Sequence, residues 1–453
     1  MKKLLLVNPI SEEVNRNMRG FNKLIFNAPL ALGYIAALTP SHWKIEVLDE
    51  QEINFENSID RLSEYSNVDL VGITALTVTA PRAYEIAAFF KKRKIPVVMG
   101  GIHVSMMPDE ALNFADCVVI GEPDSIWNDL IKDAENGNLK KKYTGEYLPL
   151  GGLVKPRRDI FGDYKAATVQ TSRGCPMSCE FCSTVAFNGR VYRQRPVNDI
   201  LDELESIPQK MTYFIDDNLI GHNKKDEERI ISLCKGMIER KINKMWWCQA
   251  TMSFGNNEEL LYYARKSGCV CVLLGIESIS EKVLRRMNKE LNLKLDYRET
   301  INRIHKSGIL VLGNILVGND DDTKEVIEEN IQFFKEVNID APGHVFVTPL
   351  PGTKFFERLD AENRIVNKNF PKDWKYYDLL HLVIKPNALS QKEIIDLKLL
   401  FYNNLFSYRQ IIIRAFKSLI YSKKLYIGIG ALLMNLWYRK FFHRYDSLIK
   451  EDE

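Results

Sequence analysis

Three cysteines in one short segment are the residues of this sequence with the clearest potential for chemistry. Cys175, Cys179 and Cys182 stand in TSRGCPMSCEFCS, a C-x3-C-x2-C triplet that directly follows a short strand-like run. Iron–sulfur clusters of the [4Fe–4S] type normally take four cysteine ligands. A cluster held by these three thiolates would therefore leave one iron open to coordinate another group.

A zinc site is the main alternative for the triplet, since zinc sites also use cysteine. A structural zinc site takes a fourth His or Cys close by, whereas the nearest candidates, His222 and Cys234, lie about forty residues or more downstream. Disulfides are not expected, because nothing in the sequence indicates an oxidising compartment. The cluster interpretation therefore stands first and the zinc interpretation second.

The cysteine segment resembles the cluster motif of the radical S-adenosylmethionine (radical SAM) superfamily, including an aromatic residue, here Phe181, before the third cysteine. The resemblance implies that the amino and carboxylate groups of SAM chelate the open iron. One electron would then cleave SAM to methionine and a 5′-deoxyadenosyl radical. The resemblance also implies an electron donor such as flavodoxin or ferredoxin.

Length and composition limit the wider classes of protein. At 453 residues the chain should form two or three domains, and its composition is that of a globular protein with a full core. A net charge of +3 does not favour nucleic-acid binding. Eight cysteines without a secretory signal predict a cytoplasmic protein. No apolar run reaches the roughly 18 residues of a membrane span.

Residues 1–140 alternate short apolar runs with amphipathic helices, which predicts a doubly wound, Rossmann-like parallel sheet. Ligands of such sheets bind beyond the carboxyl ends of the strands. The domain resembles the cobalamin-binding domain that is fused to one large radical SAM subfamily. The resemblance and the strand-end position imply these cobalamin contacts: Thr74, Leu76, Gly100, Gly101, His103, Gly121 and Glu122.

A histidine ligand for cobalt is missing from this domain. Cobalamin domains of the mutase type supply one from Asp-x-His-x-x-Gly, and the matching loop, residues 27–33, contains no histidine. The sequence therefore predicts cobalamin bound without a histidine below the cobalt. The alternative is a Rossmann-like domain that binds nothing, and the absence of G-x-G-x-x-G disfavours a dinucleotide.

A linker at residues 141–165 leads to a second run of alternating strands and helices at residues 166–365. Six strands separated by helices predict a partial (β/α)6 TIM-like barrel, which is also the fold of the radical SAM family. Active sites of such barrels lie where the strands end. The resemblance and this position imply SAM contacts from polar residues there: Asp216, Gln249, Glu277, Ser278 and Arg286.

Residues 366–453 are predicted to form a mostly helical, basic C-terminal extension. Nine Lys or Arg and no Asp or Glu occur between Lys398 and Arg444, among strongly apolar runs. One interpretation is a helical cap on the barrel with its charges facing outward. The other is a segment that binds anionic lipid, which would place the protein at the inner face of the membrane.

The whole layout resembles radical SAM proteins with an N-terminal cobalamin-binding domain, nearly to residue 400. The resemblance implies a cobalamin-dependent methyltransferase that acts on an unactivated carbon of a small-molecule or lipid substrate. One alternative is a radical SAM cyclase or rearrangement enzyme whose first domain is only a scaffold. An alternative of another class is an iron–sulfur electron carrier or sensor, which an open iron disfavours.

Overall fold

The structure of the protein is a computed structural model that describes residues 1–11, 27–52 and 61–449. Two parallel sheets follow one another along the chain, and helices form the C-terminal part. This arrangement confirms the predicted α/β fold class. Short 3-10 helices occupy Ser63–Tyr65, Thr77–Thr79, Pro123–Ser125, Met252–Asn256 and Lys372–Tyr376.

The first sheet has six parallel strands in the order β2-β1-β3-β4-β5-β6. Its strands are β1 (Lys2–Asn8), β2 (Trp43–Asp49), β3 (Leu70–Thr74), β4 (Val97–Gly100), β5 (Cys117–Ile120) and β6 (Lys142–Thr144). Its helices are α1 (Leu30–Leu38), α2 (Ala80–Lys91), α3 (Ile102–Met106), α4 (Pro108–Leu112) and α5 (Trp127–Glu135). The strand order reverses at β1, so a ligand crevice opens between the ends of β1 and β3. The sixth strand lies in the range that the sequence analysis assigns to the linker.

The second sheet also has six parallel strands, and their spatial order follows the chain from β7 to β14. Its strands are β7 (Ala166–Val169), β10 (Met211–Phe214), β11 (Met245–Ala250), β12 (Cys269–Glu277), β13 (Leu310–Val317) and β14 (Ala341–Phe346). A small antiparallel pair, β8 (Ser172–Arg173) and β9 (Arg193–Gln194), flanks the cysteine loop. The sheet is not closed between β7 and β14, so it is the predicted partial barrel.

Helices connect the barrel strands and continue beyond them. Those within the barrel are α6 (Ser183–Asn188), α7 (Val197–Ser206), α8 (Lys224–Glu239), α9 (Glu258–Lys266), α10 (Glu281–Arg286), α11 (Glu290–Leu293), α12 (Tyr297–Lys306), α13 (Lys324–Val337) and α14 (Lys354–Ala361). The C-terminal helices are α15 (Gln391–Leu405), α16 (Tyr408–Ser422) and α17 (Leu425–Ile449). Among the residues that the structure describes, none of these helices is both long and apolar enough to span a bilayer.

The last barrel strand, β14, includes Pro342 and Gly343, two residue types that are common in turns. In the structure, a Cβ on Gly343 would lie 1.8 Å from the Asn314 side-chain oxygen, so the glycine lets β14 pack closely against β13. A glycine in a strand can mark such a close approach as well as a turn.

Burial alternates along the barrel strands and separates their two faces. Phe214, Trp246 and Cys248 lie in the core beneath the helices. Tyr213 and Trp247 are only partly buried, and the two-residue period of a strand puts them on the opposite face, inside the barrel. The barrel interior therefore carries partly accessible aromatic side chains.

The segment after the barrel packs against the first domain and so connects the C-terminal region to it. Trp374 is fully buried and stacks on Phe370, with ring centroids 3.7 Å apart. Its indole N–H donates to Glu110 Oε1 at 2.9 Å, a contact between residues 264 positions apart in the chain. The first sheet, the barrel and the C-terminal segment thus pack together around the strand ends.

Candidate functional site

A large cavity lies where the strand ends of the first sheet face the cysteine end of the barrel. Its empty space, including solvent at its open mouth, measures about 1140 Å³. Its lining from the first domain includes Leu6, Tyr34, Gly72, Thr74, Val98, Gly100, Gly101, Gly121 and Glu122. Its lining from the barrel side includes Gln170, Arg173, Phe187, Asn188, Ile215 and Asp217. The first domain and the barrel therefore line one common cavity.

Five of the seven residues assigned to cobalamin from the sequence line this cavity: Thr74, Gly100, Gly101, Gly121 and Glu122. Gly101 has a positive φ of 99°, which favours glycine. A Cβ at this position would also lie 2.8 Å from the Ala75 carbonyl oxygen and 2.9 Å from Thr74 Oγ1. The backbone can turn toward the cavity here only because the side chain is absent.

The other two residues, Leu76 and His103, are not among the described residues that line the cavity. The Leu76 side chain is 59% exposed. His103 is fully buried, and its Nε2 lies 3.1 Å from Tyr84 Oη and 3.3 Å from Glu110 Oε1. Its ring also packs edge-on against Trp374. His103 thus helps to join the first domain to the C-terminal segment.

The Glu122 carboxylate faces the cavity but is paired with two arginines. It accepts hydrogen bonds from Arg173 Nη1 at 2.7 Å and from the Arg193 guanidinium. Arg173 also donates to Asp124 Oδ2 at 2.7 Å. Arg173 is not among the residues predicted from the sequence, although its position two residues before Cys175 places it near the predicted cluster.

The Tyr34 hydroxyl provides a test of whether cobalamin fits this cavity. Its oxygen is buried and has no hydrogen-bond partner among the described residues. Burial raises the pKa of Tyr34 to about 12, so the hydroxyl keeps its proton. A buried hydroxyl without a partner costs about 1–3 kcal/mol. Cobalamin carries amide side chains around its ring and would supply a partner, so this lining fits the group.

The cysteine loop places three free thiols beside the cavity. Burial raises the pKa of the Cys175 thiol to about 12 and that of Cys179 to about 11. In the described ranges, no three His, Cys, Asp or Glu side chains are arranged to hold a single metal ion. Three closely spaced thiols are the donor set that a [4Fe–4S] cluster with one open iron would need.

The neighbouring acids of the second barrel strand have different surroundings. Asp216 is fully buried, and its carboxylate accepts from the Thr171 backbone N–H at 3.0 Å and from Thr171 Oγ1 at 2.9 Å. Asp217 lines the cavity and accepts from Thr184 Oγ1 at 2.9 Å. Asp217 also contributes to the raised pKa of Cys175. Strand alternation was the signal for this difference, since Asp217 shares the parity of the inward-facing Tyr213.

Glu277 lies at the end of β12 in a left-handed conformation, with φ +61°. Its carboxylate forms an ion pair with Lys289, whose Nζ also donates to the Gly275 carbonyl oxygen at 2.9 Å. The pair adjoins the cluster loop, because Lys289 lowers and Glu277 raises the pKa of Cys179. Such backbone strain in a non-glycine residue is concentrated at functional sites.

The remaining residues assigned to SAM are spread over three environments. Gln249 lies inside the barrel and donates from Nε2 to Tyr213 Oη at 2.6 Å. Ser278 is buried, and its hydroxyl accepts from the Ser280 N–H at 3.1 Å. The Arg286 side chain is 45% exposed and forms an ion pair with Asp321. Residues that the sequence analysis did not select but the structure brings to the site are Tyr34, Gln170, Arg173, Asp217 and Lys289.

Comparison with protein families gives two matches along the chain. Residues 169–352 match the Radical SAM superfamily, and residues 27–130 match the B12 binding domain. The bacteriochlorophyllide d C-8(2)-methyltransferase of Chlorobaculum tepidum is 32% identical over 406 residues, which are 85% of this chain and 87% of that protein. The hopanoid C-2 methylase of Rhodopseudomonas palustris is 27% identical over 353 residues, 76% of this chain and 66% of that protein.

Two solved structures share the fold. The cobalamin-dependent SAM radical enzyme OxsB, solved with aqua-cobalamin and SAM, has a TM-score of 0.70 at 17% identity and covers 96% of this chain and 72% of its own. The radical SAM methyltransferase TsrM from Kitasatospora setae has a TM-score of 0.65 at 19% identity, with coverages of 80% and 76%. At these identities the likeness concerns the fold.

Proposed function

Because the chain belongs to the radical SAM superfamily, in the branch with an N-terminal B12-binding domain, we propose that it transfers a methyl group to an unactivated carbon of a small-molecule substrate. The expected cofactors are a [4Fe–4S] cluster, SAM and cobalamin. The observation that carries the proposal is the shared cavity, which is lined by Thr74, Gly100 and Gly101 on one side and by Asp217 on the other. A first domain that served only as a scaffold would not need to open its strand ends toward the cluster loop.

When bound, the cluster with SAM supplies hydrogen abstraction from carbon, and cobalamin supplies the methyl group for transfer. Cys175, Cys179 and Cys182 would hold the cluster. Thr74, Gly100, Gly101, Gly121 and Tyr34 would hold cobalamin.

The chain's own side chains would orient SAM beside the cluster. Asp217 offers a carboxylate to the ammonium of SAM, in place of its neighbour Asp216, which the sequence assigned to SAM. Glu277 is held by Lys289, and its free carboxylate oxygen can accept from the ribose hydroxyls. Lys289 in turn can attract the carboxylate of SAM. Ser278 and Arg286 would act indirectly. Ser278 holds the turn that follows β12, and Arg286 forms an ion pair with Asp321 near the surface.

The lining of the barrel interior is suited to a large, mainly apolar substrate. Tyr213 and Trp247 stack with ring centroids 5.5 Å apart and an interplanar angle of 11°. Their partly accessible rings form an aromatic wall, and Gln249 fixes the Tyr213 hydroxyl. Two relatives act on a bacteriochlorophyllide and on a hopanoid, which are both large and mainly apolar. We therefore expect a substrate of this class to enter the barrel.

Two further features belong to this proposal. The reducing electron would come from a small carrier protein such as flavodoxin or ferredoxin. The protein would work in the cytoplasm at the inner face of the membrane, where apolar substrates concentrate, and its C-terminal helices would make the contact.

The reaction can be tested with anaerobically reconstituted protein, SAM and a strong reductant. Bacteriochlorophyllide d and a hopanoid are the first substrates to offer. The expected products are 5′-deoxyadenosine, S-adenosylhomocysteine and a methylated compound. Release of S-adenosylhomocysteine needs cobalamin but no substrate, so it is expected even if neither compound is methylated.

The outcomes separate the three function classes. Omitting cobalamin should abolish S-adenosylhomocysteine and leave the reductive cleavage of SAM. Release of 5′-deoxyadenosine alone in the presence of cobalamin would support a cyclase or rearrangement enzyme. A reducible cluster that yields neither product would support an electron carrier or sensor.

A further inference from the structure

The last two helices expose an unusual amount of apolar surface. Eight of the fifteen exposed large hydrophobic side chains in the described residues lie on α16 and α17. These eight, which we call the hairpin face, are Tyr408, Ile412, Phe416, Ile420, Leu425, Tyr426, Ile429 and Leu433. The Phe416 side chain is 62% exposed and that of Leu433 is 61% exposed. A spacing of four residues keeps the apolar side chains of each helix on one side.

The two helices present these side chains to a common surface, because their opposite sides are fixed to the barrel. Ser418 Oγ donates to Asp340 Oδ1 at 2.6 Å, and Asn435 Nδ2 donates to the Asp340 carbonyl oxygen at 2.8 Å. The helices also pack closely side by side, since a Cβ on Gly428 would lie 2.9 Å from Leu419 Cβ. The hairpin face is therefore continuous and points away from the barrel.

Basic side chains lie on the same two helices and at the turn between them. Of the nine between Lys398 and Arg444, three bind within the protein: Lys398 to the Leu380 carbonyl, Arg414 to Asn435 and Arg439 to the Phe406 carbonyl. Five others are Arg409, Lys417, Lys423, Lys424 and Lys440, and none of them forms an ion pair with a described residue. Lys423 and Lys424 are exposed at the turn between the helices.

We propose that the hairpin face docks on an anionic lipid bilayer, with both helices lying in the plane of the surface. The apolar side chains would enter the boundary between headgroups and acyl chains, and exposed cations such as Lys423 and Lys424 would meet lipid phosphates. This docking deepens the membrane location given under the proposed function and does not depend on methyl transfer.

A second copy of the chain suits this face less well than an anionic membrane. A symmetric contact would bring the same patch of both copies together. Such a contact would bring together two copies of residues 398–444, which contain no Asp or Glu to offset their cations. Like charges brought together across an interface are unfavourable.

Co-sedimentation of the full chain with lipid vesicles tests the proposal. The probes are vesicles that contain phosphatidylglycerol and vesicles of phosphatidylcholine alone, each at low and high salt. We expect binding to the anionic vesicles that weakens with salt. Lys423→Glu together with Lys424→Glu should lower the partition coefficient by at least about 25-fold, from roughly fivefold per lost cation. Ile412→Ser together with Phe416→Ser should lower it by about tenfold or more.

Matched controls stand elsewhere on the surface. Lys224→Glu with Lys225→Glu changes an adjacent pair of exposed lysines, and Tyr262→Ser changes an aromatic side chain that is 56% exposed. Both controls should bind vesicles as the unchanged chain does. Because all these positions are exposed, the variants should fold, which circular dichroism can verify.

Three results would overturn the proposal. One is equal binding to neutral and anionic vesicles, and another is no vesicle binding at all. The third is a dimer, detected by light scattering, that becomes a monomer in the Ile412→Ser and Phe416→Ser double variant. That result would mean that a second copy of the chain covers the hairpin face. SAM cleavage without vesicles should be unchanged in every variant, so failure of membrane docking and failure of the proposed reaction give different readouts.

Discussion

Arg173 donates to Glu122 at 2.7 Å, and this contact joins the cysteine loop to the strand ends of the first sheet. Arg173 lies two residues before Cys175, whereas Glu122 follows β5 by two residues. The same guanidinium nitrogen binds Asp124, also at 2.7 Å. The side chains of all three residues are nearly buried. One arginine thus sets how the cluster loop sits against the first domain.

Replacing Arg173 with methionine should destabilise the protein. Arg173→Met keeps much of the side-chain volume but leaves Asp124 buried without this partner, and Glu122 retains only Arg193. Breaking a buried ion pair costs about 3 kcal/mol or more, so the free energy of unfolding should fall by that amount. Urea denaturation measures it, with Lys165→Met at an exposed ion pair as the control. A loss below about 1 kcal/mol, the range of exposed pairs, would contradict this structural role.

Removing the Tyr34 hydroxyl should not reduce the stability of the cobalamin-free protein, but it should weaken cobalamin binding. Tyr34→Phe removes a buried oxygen without a partner, so the cobalamin-free protein should be as stable as before or more stable. Cobalamin should bind about tenfold more weakly, because one hydrogen bond of roughly 1.5 kcal/mol is lost. Thermal unfolding and spectroscopic titration with cobalamin measure the two effects. Unchanged cobalamin affinity would show that the hydroxyl does not contact the group.

Alanine at any one of Cys175, Cys179 and Cys182 should remove the cluster. Each variant should lose iron, the charge-transfer absorbance of the cluster and the release of 5′-deoxyadenosine together. Cys271→Ala changes a cysteine inside a barrel strand and is the matched control. Iron analysis after anaerobic reconstitution is the measurement, and stoichiometric zinc in its place would contradict the cluster.

Asp322 should make stability depend on pH. Burial raises the pKa of its carboxyl from 3.8 to about 7, although the N–H groups of Gly318 and Asn319 donate to it. Between pH 4 and 7 the unfolded chain loses this proton while the folded chain keeps it, so stability falls as pH rises through this window. Asp322→Asn should flatten that part of the profile.

Thermal midpoints across this pH range measure the Asp322 effect. Asp129→Asn, at a side chain that is 71% exposed, should leave the slope unchanged. A parallel shift of the whole profile in Asp322→Asn, without a change of slope, would contradict the raised pKa.

Much of the site could be predicted from short segments. The cysteine triplet depends on spacing within eight residues, and the ends of β3, β4 and β5 follow from apolar runs that stop at polar or glycine residues. Carboxyl ends of parallel strands meet at one edge. The sequence therefore placed Thr74, Gly100, Gly101 and Gly121 at these strand ends, and the structure has them in the cavity lining.

Neighbouring residues with opposite environments were harder to distinguish. Asp216 was assigned to SAM from the sequence, but the structure buries it against Thr171, whereas Asp217 lines the cavity. The two-residue period of the strand favours Asp217 as the inward-facing acid, because it has the parity of Tyr213. The strand itself ends at Phe214, however, and the direction of the side chains beyond it depends on packing with distant residues. Leu76 and His103 were assigned to cobalamin from the family resemblance and their position after a strand end, but neither is among the described residues that line the cavity.

The sequence by itself determined the cluster motif, the two parallel sheets and the excess of cations near the C-terminus, because each follows from residue types and spacing within one segment. The tertiary structure alone decided that Tyr34 reaches the cavity, that Glu122 binds Arg173 and which cations remain at the surface. These outcomes depend on residues that are far apart in the chain, such as the 51 positions between Glu122 and Arg173. Only the packing of the domains brings such pairs into contact.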